Sequence, residues 1–311
     1  MPKTDQESQK ESYKFKDLKV YSSTEWLAGN RKKYRQVFEH GELSYIYAEL
    51  SLINKSYEQE PWDVQVSLKC FRIDKHKKEI CSLDIKRTIS KHDHVAYIRE
   101  GWGQKDIGTF WQKGKYCWEA YVDGRKLSTK YFYVEDVASL IPGTIHDAMR
   151  INSVEYFEGN YDQNNDGSDR TYYVEFPDFD TRYVFVELTI ENHVPNVDWF
   201  NELFIRFYND ARELKGEVVR LQKMKKDESE IQITAGWGSN VKGSWRRGRY
   251  SVEVVFQDKL VVESSFLIGT EFREGSTELN PLLTVPATTD VDHLTTLSST
   301  CLLYTSDAAD E

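Results

Sequence analysis

The residues of this chain with the most evident chemical potential are the oxygens of Asp162-Gln163-Asn164-Asn165-Asp166-Gly167-Ser168-Asp169. The string opens like a calcium loop, in which Asp162, Asn164 and Asp166 would converge on the ion because glycine permits the turn. The twelfth position, where a bidentate Glu should close the shell, is Tyr173, and the flanks have strand character. A polar loop is therefore the favoured reading. His92-Asp93-His94 places two imidazoles on one side of an extended segment, but no further His or Cys accompanies them, so they read as exposed loop residues. Glu119 and Glu253 occupy matching positions in separate parts of the chain, which suggests a structural role and not an acid and base couple. No nucleophile elbow, no Cys and His pairing and no phosphate-binding glycine loop is present, so no catalytic residue is assigned. The remaining chemistry is aromatic. Trp26, Trp102, Trp111, Trp118, Trp237 and Trp245 exceed what two small cores need, and exposed indoles stack on sugars or on partner proteins. Trp102, Trp237, Trp111 and Trp245 are the candidate binding residues, weighed against a core-filling role for each.

The elements that carry these tryptophans occur twice. Gly101 to Val134 reads GWGQKDIGTFWQKGKYCWEAYVDGRKLSTKYFYV, and Gly236 to Ile268 reads GWGSNVKGSWRRGRYSVEVVFQDKLVVESSFLI. Gly101-Trp102-Gly103 answers to Gly236-Trp237-Gly238, Gly108 to Gly243, Gly114 to Gly248, Tyr116 to Tyr250 and Glu119 to Glu253, with the register shifting by one residue in between. Upstream, SYIYAELSLINK answers to RYVFVELTIENH, and Trp62 to Phe71 answers to Trp199 to Tyr208. These segments alternate apolar and polar side chains with the period of a strand. A Trp opening such a strand is read as a core tryptophan of a two-sheet sandwich. Asp123-Gly124 between two alternating runs predicts a hairpin, and Asp258-Lys259 in the second copy predicts a different turn.

About seven short strands per copy and no amphipathic helix predict an all-β chain of two tandem immunoglobulin-like β-sandwich domains arising by internal duplication. The expected layout is a leader over 1–12, the first sandwich over 13–136, a connector over 137–153, the second sandwich over 154–274 and a Thr, Ser and Pro-rich linker over 275–300. Arg31-Lys32-Lys33 and Arg35 read as a solvated basic loop.

Residues 301–311, CLLYTSDAADE, resemble the in-frame translation of a transposase-type sequencing adapter, and the expectation is that the natural protein continues differently beyond Thr300. The formal net charge is −10, and it becomes −7 without Asp307, Asp310 and Glu311. Net acidity argues against nonspecific nucleic-acid binding. The polar start lacks a signal-peptide h-region and no apolar run spans a bilayer, so the expected setting is cytoplasmic with no membrane contact. Cys70, Cys81 and Cys117 are not repeated in the second copy and are read as buried reduced thiols.

Where GWG, the G-x-Y-x-x-E hairpin and the YIYAELSLIN strand recur in tandem, the chain resembles the N-terminal region of bacterial AAA+ ATPases of the CbxX and sporulation-stage-V type. That resemblance covers most of Phe15 to Glu274. It implies paired sandwiches that recruit substrate or partner proteins ahead of a P-loop motor, with ATP and Mg as cofactors of the motor alone and oligomerisation through it. This stretch of chain carries no Walker motif, so no cofactor is assigned to it. The expected function is thus a non-catalytic protein-interaction module with a protein partner. The alternative is a carbohydrate-binding or surface-adhesion sandwich.

Overall fold

The computed structural model describes residues 12–23, 32–160, 170–194 and 196–277. The expected leader, the calcium-like string Asp162, Asn164 and Asp166, nearly all of the linker and the adapter-like end lie outside the described residues. Among those described the chain is all-β: strands alternate with turns, and only three single-turn 3₁₀ segments interrupt them.

The first unit runs through β1 (Tyr13–Ser23), β2 (Val37–Glu39), β3 (Tyr45–Asn54), β4 (Trp62–Ile73), β5 (Lys77–Ile89), β6 (Val95–Gly103), β7 (Gly114–Val122) and β8 (Arg125–Glu135). The second runs through β9 (Met149–Gly159), β10 (Tyr173–Pro177), β11 (Tyr183–Asn192), β12 (Trp199–Tyr208), β13 (Leu214–Met224), β14 (Glu230–Gly238), β15 (Gly248–Phe256), β16 (Lys259–Gly269) and β17 (Arg273–Glu274). In the first unit a sheet ordered β1-β3-β6 faces one ordered β2-β8-β7-β4-β5. In the second, β9-β11-β14 faces β17-β10-β16-β15-β12-β13. Apart from the added β17, the two units have the same strand order. Each is the A-B-E sheet against the A′-G-F-C-C′ sheet of an immunoglobulin-like sandwich, with the short A′ strand parallel to G.

Alternation explains the cores. Ile46, Ala48, Leu50 and Leu52 of β3 and Val184, Val186, Leu188 and Ile190 of β11 are fully buried between the sheets. Each unit has its own apolar cluster. Two polar devices recur within them. Asn54 accepts from Trp62 Nε1 at 2.9 Å and donates to the Ser90 and Asp93 carbonyls; Asn192 accepts from Trp199 Nε1 at 3.1 Å and donates to the Lys225 and Glu228 carbonyls. Tyr116 and Tyr250 donate from their hydroxyls to the carbonyls of Gln112 and Arg246, 2.8 and 3.1 Å away. This is the tyrosine corner of such sandwiches, and it accounts for the G-x-Y motif.

Several expectations need correction. Met149 to Ser153, assigned above to the connector, forms the start of β9, and Val137, Ile145 and Ala148 are buried in the second core. The second hairpin turns on Gln257 and Asp258, with φ of 46° and 64°, as the first turns on Asp123 and Gly124 at 49° and 80°. Both are two-residue turns with two left-handed residues, so the turn is the same although the second has no glycine. The basic loop is not solvated throughout. Lys32 and Arg35 side chains are only 11% and 10% exposed.

Arg35 takes part in a joint between the units. Its guanidinium donates to Gln257 at 2.6 Å and to Asp258 at 3.4 Å, holding the left-handed turn from the other unit. Glu202 of β12 accepts from the Gln36 and Val37 amides at 2.5 and 3.1 Å, while Glu135 of β8 accepts from the Phe200 amide at 3.1 Å. Tyr133 and Phe200 stack between them, centroids 4.0 Å apart. Glu39 accepts from the Val137 and Ala138 amides, both at 3.2 Å. All three carboxylates are nearly inaccessible, so each unit pins the other's backbone with a buried acceptor.

Candidate functional site

The GWG motif ends the last strand of the three-stranded sheet, and its two glycines have separate causes. A Cβ on Gly101 would lie 2.6 Å from the Tyr47 ring, and one on Gly236 would lie 2.3 Å from the Phe185 ring. Those rings stack on Tyr21 and Phe157 across the outer face, so the first glycine makes room for an aromatic pair. Gly103 and Gly238 adopt φ of 149° and 156°, and a Cβ there would meet the Ser44 or Arg182 carbonyl oxygen at 2.0 or 2.1 Å. The motif is therefore a strand terminus that only glycine allows, with the tryptophan between on the core side of the sheet, opposite Ile46 or Val184.

From that common start the two tryptophans part. Trp237 lies over the open side of its sandwich. Its ring meets Trp245 edge-on at 4.8 Å and approaches Phe207 and Tyr250. Gly216 of the edge strand β13 gives it room, since a Cβ there would stand 2.3 Å from the indole. Trp102 has no such bed. The position equivalent to Gly216, which pairs with Phe207, is Cys81, which pairs with Cys70. The T-shaped place beside Trp111, which corresponds to Trp245, is taken by Phe110 at 5.2 Å, whereas the second unit has the exposed Ser244 there. Trp102 is left 36% exposed and stacks on no ring among the described residues.

Of the four candidate binding tryptophans, then, Trp102 is the most exposed. Trp111 and Trp245 are 1% and 6% exposed core residues, ringed by Tyr116 and Phe132 or by Tyr250 and Phe266. Their burial follows from the tyrosine corner they pack on, and it corrects their assignment to a surface. Trp237 is partly buried against the second core. The signal for this division was present in the sequence, at residues 81 against 216 and 110 against 244, but nothing local to those positions ties them to the motif.

Around Trp102 the first unit is open. β6 and β5 are the free edges of their sheets and pack against each other less closely than β14 and β13 do. On the same face of β6, Glu100 is half-buried where the second unit has the buried Ala235, and burial pushes its carboxyl above the usual range. Ile107, in the loop that follows, is 53% exposed. The Arg87 guanidinium reaches across from β5 to the Tyr97 carbonyl at 2.7 Å, and Arg220 makes a similar bond, displaced by two residues along both strands, to the Thr234 carbonyl at 2.8 Å. One open flank thus carries an indole, a carboxylate and two strand edges.

Other groups that suggest chemistry are occupied structurally. Glu49, 2% exposed, accepts from Lys32 at 2.8 Å, from Tyr34 at 2.7 Å and from Arg99; burial acts against its charge, but these donors hold its carboxyl below the ordinary range. Glu187 accepts from Arg170 and, at 2.6 Å, from Tyr172. Nothing in the alternation of β3 and β11 announced these clasps. Glu119 and Glu253 sit in separate units, as expected. Despite its burial, Glu119 is lowered to about 2 by Lys126, Lys77 and Tyr121; burial raises Glu253, against the pull of Arg212. His92, Asp93 and His94 are exposed. A shallow depression beside β4 and β5 is lined by Asp63, Lys86, Arg87 and Asp123, yet Asp63 accepts from Thr88 and Asp123 from the Gln65 amide. Among the described residues no three His, Cys, Asp or Glu side chains are placed to hold a metal ion. No helix among them is long and apolar enough to cross a membrane.

No family model matches the chain, and no curated protein matches it. Among solved structures, it is similar to the alkylpurine DNA glycosylase AlkC of Pseudomonas fluorescens bound to DNA containing an abasic site analogue. The identity is 15% over 40% of this chain and 30% of that one, with a TM-score of 0.27. The transglutaminase of red sea bream aligns at 7% identity over 84% of this chain and 32% of the enzyme, TM-score 0.28. An immunoglobulin-like protein of Pseudomonas aeruginosa aligns at 13% identity over 39% of this chain and 96% of its own, TM-score 0.27. The chain spans about a third of the length of the two enzymes, and likeness at these levels carries no argument about activity.

Proposed function

We propose that this chain is a protein-interaction module whose first sandwich captures a partner on the open flank between β5 and β6, with Trp102 as the anchor. One observation carries the reading: of two tryptophans in the same motif at the same place in the same fold, one packs on three aromatic rings and the other is more exposed and meets no ring among the described residues. An exposed indole beside free strand edges is the usual makeup of an interface hot spot joined to an edge that accepts an added strand. Glu100 beside it favours a partner with a cationic or hydrogen-bond donating group. The joint sustained by Glu39, Glu135 and Glu202 supports the second sandwich as a rigid neighbour to the first. Placement of both ahead of an AAA+ motor, in the cytoplasm, rests on the resemblance of the quoted motifs alone. A carbohydrate-binding reading has less support, because a sugar platform needs several exposed ring faces and two of the four indoles, Trp111 and Trp245, are buried.

The test is a selection of binders from a random peptide library on the immobilised chain. Binders are expected to lose about tenfold or more in affinity for Trp102→Ala, an anchor-sized effect. They should be indifferent to Tyr131→Ala, which removes a 45% exposed aromatic from β8. Peptides that bind Trp102→Ala as well as the parent chain would overturn the proposal.

A further inference from the structure

Cys70 of β4 and Cys81 of β5 are direct cross-strand partners in an antiparallel ladder, and both are free thiols. Facing residues in such a ladder stand roughly 4.5–5.5 Å apart at Cα, within the ~4.4–6.8 Å that a disulfide spans. Cys117 does not share their face. It pairs with Phe71, one step out of phase with Trp118, the β7 partner of Cys70, so its side chain points to the other side of the sheet. The second unit has Phe207 and Gly216 at the equivalent pair and cannot form the same link.

Access differs between the two sulfurs. Cys70 is fully buried, and burial together with the neighbouring Cys81 thiol keeps it protonated far above the usual range. Cys81 is 7% exposed and lies on a strand with a neighbour on one side only, at the flank left open by the splayed β6. A small oxidant reaches Cys81 first, and the only thiol facing it on that side of the sheet, among the described residues, is Cys70.

We propose that Cys70 and Cys81 form a peroxide-responsive dithiol that closes to a cross-strand disulfide and ties the edge strand β5 to β4. In the first step the Cys81 thiolate attacks a peroxide oxygen. A sulfur–oxygen bond forms, the oxygen–oxygen bond breaks, and the departing hydroxide takes up a proton as water. In the second, Cys70 gives up its proton and attacks the Cys81 sulfenic sulfur. The sulfur–sulfur bond forms, the sulfur–oxygen bond breaks, and a second water leaves. Two thiols are oxidised by two electrons and one peroxide is reduced to two waters. The product fixes the strand that borders the Trp102 flank. This inference stands on the thiol geometry and does not require the flank to bind a partner.

The test uses the reduced full chain and hydrogen peroxide. After treatment, free thiols are alkylated under denaturing conditions and the digest is mapped by mass spectrometry. The expected product is a peptide pair joined through Cys70 and Cys81, lighter by two hydrogens, with Cys117 still alkylated and the link reversed by dithiothreitol. Cys81→Ser should abolish the link and leave Cys70 reduced, whereas Cys117→Ser should change nothing. The proposal is overturned if Cys81 passes to sulfinic acid without linking, if Cys70 or Cys81 links elsewhere, or if neither is oxidised. Mapping of the unaltered chain decides the matter by itself should the Cys81 variant not fold.

Discussion

The two sandwiches repeat the same strand order, the same tyrosine corner and the same asparagine beneath the first tryptophan of the C strand, yet they treat the GWG tryptophan in opposite ways. In the second unit Gly216 and Ser244 leave a bed into which Trp237 folds. In the first, Cys81 and Phe110 stand at the equivalent positions and Trp102 is left more exposed, with no ring against it among the described residues. A shared motif therefore does not carry a shared role. The glycines of the motif are demanded by Tyr47 and Phe185 and by a carbonyl oxygen, so they persist whichever way the indole points. What decides its role is the volume offered by the facing edge strand.

The largest contrast between the units is predicted at their buried carboxylates. Glu49 has two cations, Lys32 and Arg99, whereas Glu187 has Arg170, with Thr234 standing opposite it where Arg99 stands in the first unit. Arg170→Ala should therefore strand a buried charge and cost ~3–5 kcal/mol. Lys32→Ala leaves Arg99 and Tyr34 in place and should cost about 1 kcal/mol. Urea unfolding of both variants checks the difference, and equal losses would mean that the clasps are equivalent after all.

Next in size is the bed itself. Gly216→Ala drives a methyl into the Trp237 ring and should cost ~1–3 kcal/mol while raising the accessibility of that indole to acrylamide. The converse pair in the first unit, Cys81→Gly with Phe110→Ser, should draw Trp102 inward and lower its quenching. No change in either variant would break the link between edge-strand volume and indole exposure.

The joint between the units responds to pH. Burial raises Glu39 from 4.5 to about 7, and raises Glu135 and Glu202 as well. Each therefore holds its proton in the folded chain at a pH where the unfolded chain has lost it. The stability this contributes is fully present below about 4.5 and is lost as pH rises through about 7. Thermal stability should fall between pH 5 and pH 8 by the equivalent of roughly 2–3 kcal/mol from Glu39, and Glu39→Gln should reduce that slope whatever its absolute effect. Glu49 and Glu119 act in the opposite sense, since cations hold them low and their contribution is lost only under more acidic conditions. A slope unchanged in Glu39→Gln would remove that residue from the joint's response. The smallest effect is expected where the units agree: Tyr116→Phe and Tyr250→Phe should each cost about 1 kcal/mol, by loss of one hydrogen bond.

Much of the fold was legible because alternation is a local signal. β3, β4, β11 and β12 could be read from side chains two apart, and Asp123-Gly124 marked its hairpin. The three-residue β2 is too short to show a period, and β9 was hidden by Asn152 and Ser153 between its apolar residues. Gln257 and Asp258 take a glycine-type turn because contacts from Arg35, far away in sequence, hold them there. The site was legible only by half. GWG singled out Trp102 and Trp237, but the residues that separate their roles belong to the facing edge strand and the following loop, and Trp111 and Trp245 look like surface aromatics until the tyrosine corner is seen to enclose them.

The central claim, one motif with two roles, is tested most directly by comparing the unfolding free energies of Trp102→Ala and Trp237→Ala in urea. The account predicts a loss of ~3–5 kcal/mol for Trp237→Ala, as for a large aromatic removed from a core, and no more than about 1 kcal/mol for Trp102→Ala. Equal and large losses would contradict it, since Trp102 would then be as much a part of its core as Trp237 and the open flank would lose its anchor.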